Sequence, residues 1–131
     1  MFIGVLIILS VKAQYSQDIS VETLLKTDTT TIGQGFLYPD VQKDEITISK
    51  IILQPGTSTG WHKHEFPVFA YILEGNLTVD LGNGKYLDFS ENTTFAEVIN
   101  TLHNGMNKGD KKVVLIAFYL SEKGKSLSVR P

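Results

Sequence analysis

The chain has 131 residues, of which 42% are apolar and 20% charged, with a net charge of −2 and no cysteine. That length suffices for one domain with a real core. The charge balance argues against nucleic acid as the main partner, and the absence of cysteine excludes disulfides, thiolate metal sites and a cysteine nucleophile. Any metal would be held by nitrogen and oxygen.

Phe2–Val11 is a short apolar run followed by Lys12, Ala13 and Gln14. It is shorter than the ~20 residues that cross a bilayer, and Val11 with Ala13 matches a small-residue cleavage pattern. Residues 1–13 therefore read as a signal peptide, which implies a periplasmic or secreted protein with no membrane segment once the leader is removed. The competing expectation is an apolar first strand. Residues 14–42 form a polar, threonine-rich segment. Ser20–Lys26 is expected to make one short helical turn capped by Ser20, Thr27–Thr31 extended chain or loop, and Tyr38-Pro39-Asp40 a turn.

Strand signals begin at Glu45–Gln54, where Ile46 and Ile48 alternate with Thr47 and Ser49 before Pro55-Gly56 ends the run. Trp61–Leu73 reads as extended, with Pro67 marking a bulge or an edge. Glu74-Gly75-Asn76 is a tight turn. Leu77, Val79 and Leu81 then alternate with polar residues, Gly82-Asn83-Gly84 signals a hairpin, and Tyr86–Phe89 returns. Thr94–Ile99 is a further strand. Val113–Leu120 is a continuous apolar run, expected to be buried on both faces. The polar tail after Ser121 (residues 122–131) is expected to pack loosely. Short strands with turn signals between them, and no long helix or internal repeat, predict an all-β sandwich or barrel. Its core is placed at residues 43–121.

All three histidines sit in two short stretches. His62 and His64 are two apart, so on an extended segment their imidazoles share a face. His103 lies far along the chain in Asn100-Thr-Leu-His-Asn-Gly-Met-Asn107. Only the fold can bring it to the pair. Neutral imidazole is a common ligand for zinc, iron, copper and nickel.

These stretches resemble the two motifs of the cupins, a family of jelly-roll β-barrels. The first motif is written G-x5-H-x-H-x3,4-E-x6-G, and Gly56, His62, His64 and Gly75 match it. The second ends in H-x3-N, matched by His103 and Asn107. Together with the hairpin between them, the likeness covers roughly residues 43–121. The run H-x-H-x-x-P-V-F-x-Y-x-L-E-G resembles a subgroup of small cupins. Where the first motif has its glutamate this chain has Val68. The proline and glycine positions of the second motif hold Val98 and Asn100.

The resemblance implies that His62, His64 and His103 meet inside the barrel. There they would hold a divalent metal (Fe, Mn, Zn, Ni or Cu) with positions left open, an arrangement typical of catalytic sites. Glu97 lies six residues before His103 and faces the same way if that strand runs unbroken. Its apolar neighbours would make a buried, unpaired carboxylate costly. Glu97 is therefore expected either to replace the missing ligand or to act as a general base. The alternatives are a solvent-facing Glu97 and a site of three histidines alone. Glu65 and Lys63 should point away from the pair, and Asn107 should brace the second motif. Trp61, Phe66, Phe69 and Tyr71 read as core or pocket wall. The leading functional expectation is a metal-dependent oxygenase, isomerase or lyase acting on a small organic molecule. The alternatives are a non-catalytic module binding a metal or small ligand, and an interaction protein that dimerises through a barrel edge. Homodimers are what the resemblance implies.

Overall fold

The structure, a computed structural model, describes residues 19–131. The segment read as a leader lies outside the described residues. Seven strands follow one another with no helix among the described residues: β1 Asp44–Leu53, β2 Val68–Glu74, β3 Leu77–Asp80, β4 Tyr86–Phe89, β5 Thr94–Ala96, β6 Asn104–Met106 and β7 Val113–Glu122. They form two antiparallel sheets, ordered β1-β7-β2-β5 and β4-β3-β6. This is the all-β arrangement that the turn spacing predicts, in the jelly-roll form that the resemblance implies.

Period-2 alternation places the core between the sheets. Leu53, Ala70, Ile72, Phe95, Val113 and Leu115 of the first sheet pack on Leu77 and Val79 of the second. The Phe89 and Phe95 rings stack across the gap with centroids 3.8 Å apart. β7 is buried on both faces through Val113, Val114 and Leu115, but Phe118 is exposed, so the expected two-sided burial fails in the second half of the run. On β1 the inward residues are Ile51 and Leu53. Ile46 and Ile48 face outward and are 66% and 62% exposed.

The chain changes sheets at Gly75, between β2 and β3. Its φ is +78°, and a Cβ placed there would lie 2.5 Å from the Lys112 carbonyl oxygen, so only glycine fits. The β3–β4 hairpin closes as expected. Leu81 N–H donates to Lys85 O, Lys85 N–H donates to Gly82 O, and Asn83 adopts φ +54°. Asn100, at a motif position usually held by glycine, also takes a left-handed φ of +50°. Asparagine is among the few residues that tolerate this conformation.

Three sequence expectations need correction. Ser20–Lys26 forms no helical turn. Isolated helical turns are costly to nucleate, and here Leu24 and Leu25 instead border, with Phe69, Tyr71, Ile116 and Phe118, a cavity of about 470 Å³ on the outer face of the first sheet. The Thr94 hydroxyl donates to Leu24 O, which ties this segment down. Trp61–Leu73 is not one strand. β2 starts only at Val68, and the part before it is held by isolated bridges of Ser58 to Met106, His62 to His103 and Lys63 to Val129. Finally, the tail is not loose, because Val129 exchanges two backbone hydrogen bonds with Lys63, each 2.9 Å.

Asn107 does brace the second motif. Its side chain is 2% exposed, donates to Leu53 O at 2.9 Å and Lys111 O at 2.7 Å, and accepts from Gly109 N–H at 3.0 Å. Asn107→Ala leaves these buried groups without partners. It is expected to lower unfolding free energy by about 2–4 kcal/mol in urea titrations. An unchanged midpoint would contradict this bracing role.

Candidate metal centre

The segment carrying His62 and His64 runs beside the strand that starts just after His103. His62 and His103 exchange backbone hydrogen bonds of 3.0 and 2.9 Å, which makes them cross-strand neighbours. His64 follows on the same face as His62, as the i, i+2 spacing predicts. The three rings form a tight triangle with centroids 4.4, 4.9 and 5.1 Å apart. One ring nitrogen from each lies within 4.8 Å of the other two, so the group could hold a metal ion.

Each ring is oriented by the backbone. Nδ1 of His62 donates to Gly60 O at 2.7 Å, Nδ1 of His64 to Leu127 O at 2.8 Å, and Nδ1 of His103 to Thr101 O at 2.9 Å. A carbonyl can only accept, so it sets the tautomer: Nδ1 carries the proton and Nε2 presents a lone pair. Metal-binding imidazoles are commonly fixed in this way. Burial lowers all three pKa values below the ordinary 6.5, with His64 brought down to about 4. The rings are therefore neutral at pH 7, the form that binds metal. Nε2 of His103 is fully buried and has no hydrogen-bond partner among the described residues. Leaving a buried acceptor unpaired costs about 1–3 kcal/mol, and a cation at the centre of the triangle would satisfy it. The donor set and the orphaned nitrogen both fit a divalent metal.

Glu97 does reach the site, although not by the route the sequence suggests. β5 ends at Ala96, and a bend at Asn100 separates it from His103, so no unbroken strand joins the two residues. Glu97 instead stands directly across the ladder from Val68, where its N–H donates to Val68 O at 2.8 Å. Its side chain is 12% exposed and not solvent-facing, and Oε2 lies 3.5 Å from His103 Nε2. Burial pushes its pKa up to about 7. The carboxylate absent at position 68 thus has a counterpart on the neighbouring strand. Glu97 stands beside the histidine triangle and outside the compact group of three.

Two supporting residues escape the sequence reading. Tyr119 is the partner of Val68 on its other side, in β7, and its ring packs on His64 at 5.6 Å. The inward parity of Val113, Leu115 and Ala117 is the signal that would have found it. Gln34, in the N-terminal segment, donates to Ile99 O at 2.8 Å and accepts from Ile99 N–H at 2.9 Å, clamping the loop between Glu97 and His103. No local pattern marks it. The cavity bounded by the histidines, Glu97, Tyr119 and apolar core residues has a volume of about 40 Å³. That is room for an ion and a ligand of a few heavy atoms.

No curated protein matches the sequence. Among solved structures, a double-stranded β-helix protein from Klebsiella pneumoniae superposes with a TM-score of 0.54 at 14% identity, covering 70% of this chain and 90% of that one. A cupin domain from Bordetella pertussis gives 0.52 at 20% identity, covering 74% and 98%. An oxalate decarboxylase from Lactobacillus farciminis, in complex with formate, gives 0.56 at 18% identity over 65% of this chain and 26% of that one. At such identities the likeness speaks for fold alone. The sequence itself matches the family described as "Cupin domain" over residues 49–119, more than half of the chain. Both histidine stretches lie inside that match, and the chain belongs to the cupin family.

Proposed function

We propose that this chain is an exported, metal-dependent enzyme that moves a proton on a small organic substrate, as an isomerase or lyase does. His62, His64 and His103 would hold the metal, and Glu97 would serve as general base and acid. The observation that carries the reading is the buried Nε2 of His103, without a hydrogen-bond partner among the described residues, grouped with two other neutral imidazoles beside a buried carboxyl group. When bound, a divalent metal supplies Lewis acidity at its open positions.

The chain's own residues do the rest. The three backbone carbonyls hold the imidazoles in the donor tautomer. Glu97, with its pKa near 7, is suited to accept and return a proton at neutral pH. Val68, Leu115 and Ala117 keep the surroundings of the carboxyl dry. Burial is the main cause of the lowered His62 pKa and the Arg130 guanidinium adds to it; a positive charge there would suit an acidic substrate. Formate in the oxalate decarboxylase structure is a ligand of that size and charge.

Elemental analysis of the mature protein, purified without chelator, is expected to find about one divalent metal per chain, lost in His62→Ala/His64→Ala. Mass spectrometry should place the mature N-terminus at Gln14. Absence of metal after loading with iron, manganese, zinc, nickel and copper would defeat the enzyme reading and leave a small-ligand binder. Glu97→Gln should keep the metal and lose turnover. Metal binding weakened by two orders of magnitude would make Glu97 a ligand instead.

The pKa shifts predict opposite trends in the metal-free protein. His64 has a folded pKa of about 4 against 6.5 in the unfolded chain. In that window unfolding takes up a proton, so stability present above pH 6.5 is lost as pH falls toward 4, by on the order of 3 kcal/mol. Glu97 is protonated in the fold up to about pH 7 but ionises in the unfolded chain above 4.5. Its contribution is lost as pH rises through that window. Glu97→Gln should therefore stabilise the metal-free protein above pH 7, by on the order of 2–3 kcal/mol. Denaturant titrations from pH 4 to 8 measure both trends. A destabilised Glu97→Gln protein at pH 8 would contradict the burial argument.

A further inference from the structure

The loop between Glu97 and His103 carries two parts of the centre. Glu97 begins it, and the Thr101 carbonyl that orients the His103 ring lies near its end. Two of its backbone groups are tied to the segments that build the site: Glu97 N–H donates to Val68 O and Asn100 N–H to His64 O, each at 2.8 Å. Ile99, midway, is held from elsewhere. Its N–H donates to Oε1 of Gln34 at 2.9 Å, and its carbonyl accepts from Nε2 of Gln34 at 2.8 Å. A primary amide that gives and takes a bond with one residue does what the facing residue of an antiparallel ladder does. Nε2 also donates to the Thr101 hydroxyl at 3.3 Å, and that hydroxyl donates to Ile99 O at 2.8 Å. Next to Ile99, Asn100 holds its φ of +50°, which a non-glycine residue keeps only where its surroundings enforce it.

Gln34 is aimed from a fixed base. Residues 28–36 form a tight hairpin, in which Thr30 N–H donates to Gln34 O at 2.8 Å, Gly33 N–H to Thr30 O at 3.0 Å and Phe36 N–H to Asp28 O at 2.9 Å. The hairpin is pinned twice to the first sheet. Thr31 N–H donates to Ala96 O at 3.1 Å, and the Phe36 ring lies 5.4 Å from that of Phe69. Within the hairpin the buried Thr30 hydroxyl donates to Oε1 of Gln34 at 3.0 Å. Ile99 N–H can only donate and Ile99 O can only accept, which fixes the two ends of the amide. A side chain locked in this way can hold its partner in place. We infer that Gln34 is a positioning residue of the centre. By fixing Ile99 it sets the Thr101 carbonyl against Nδ1 of His103 and keeps Glu97 3.5 Å from Nε2, so the N-terminal hairpin is part of the site. Its effect on metal rests on the proposed function, whereas its effect on the His103 ring stands without it.

The chain has three histidines, so imidazole nitrogen NMR of the isotope-labelled, metal-free protein at pH 8 reads each ring and its tautomer. In the unaltered protein all three should carry the proton on Nδ1. In Gln34→Met, which keeps the length of the side chain and loses the amide, His103 should populate the other tautomer as well. His64, held by Leu127 O, should not change. Gln34→Ala leaves room for water to satisfy Ile99, which protects the fold, and should act in the same direction. Cobalt(II), added as the probe metal, should bind both variants about 10- to 100-fold more weakly, as when a metal ligand loses an outer partner. The inference is overturned if His103 keeps the Nδ1 tautomer in both variants. It is equally overturned if all three rings are disturbed alike, because Gln34 would then support the fold at large. An unaltered protein that binds no cobalt defeats the metal reading alone, and the His103 tautomer still decides the role of Gln34.

Discussion

Three imidazole N–H groups donate to three backbone carbonyls, and the rest of the site depends on this constraint. A histidine ring can rotate and can exchange its proton between two nitrogens. The carbonyls of Gly60, Thr101 and Leu127 remove both freedoms. Once the outer nitrogen of each ring is committed, the inner one can only accept. Burial then disfavours a second proton, which would leave a cation without water around it. Neutral, aligned and dry imidazoles follow from ordinary backbone hydrogen bonding.

The carboxyl group beside them obeys the same physics with the opposite sign. Desolvation makes the histidines poorer bases and Glu97 a weaker acid. Without a cation, the favoured state of the centre just below neutrality is uncharged throughout. A divalent cation held there would change that balance, because it would satisfy the lone pair of His103 and compensate an ionised Glu97 at once. The position of Glu97 across the ladder from Val68 shows that a sheet can supply one functional group from either of two paired strands. Opposed residues project side by side from the same face, so the spatial requirement outlives the sequence position.

Much of the fold was legible because its signals are local. Alternation marked β1 and β3, Gly82-Asn83-Gly84 marked the hairpin, and the spacing of His62 and His64 required only an extended chain. His103 was legible through its motif. Other parts were not, because their causes are distant. Glu97 faces the site through its partner Val68, not through continuity with His103. Gln34 acts on a loop more than sixty positions away. Tyr119 was concealed within an apolar run whose alternation cannot be seen until one face is known to be inward. The outward turn of Ile46 and Ile48 contradicts the usual association of strand isoleucines with a core.

The bond from His64 to Leu127 sets an order of events in the making of the molecule. A chain leaving the ribosome has both histidine motifs well before it has the segment that pairs with Lys63 and presents the Leu127 carbonyl. Until then, His64 is free to choose either tautomer and to turn away from its neighbours. Maturation of the centre is therefore a late step, coupled to docking of the tail. A protease that removed the tail would unset one imagined vertex of the triangle while leaving the barrel's hydrophobic core in place.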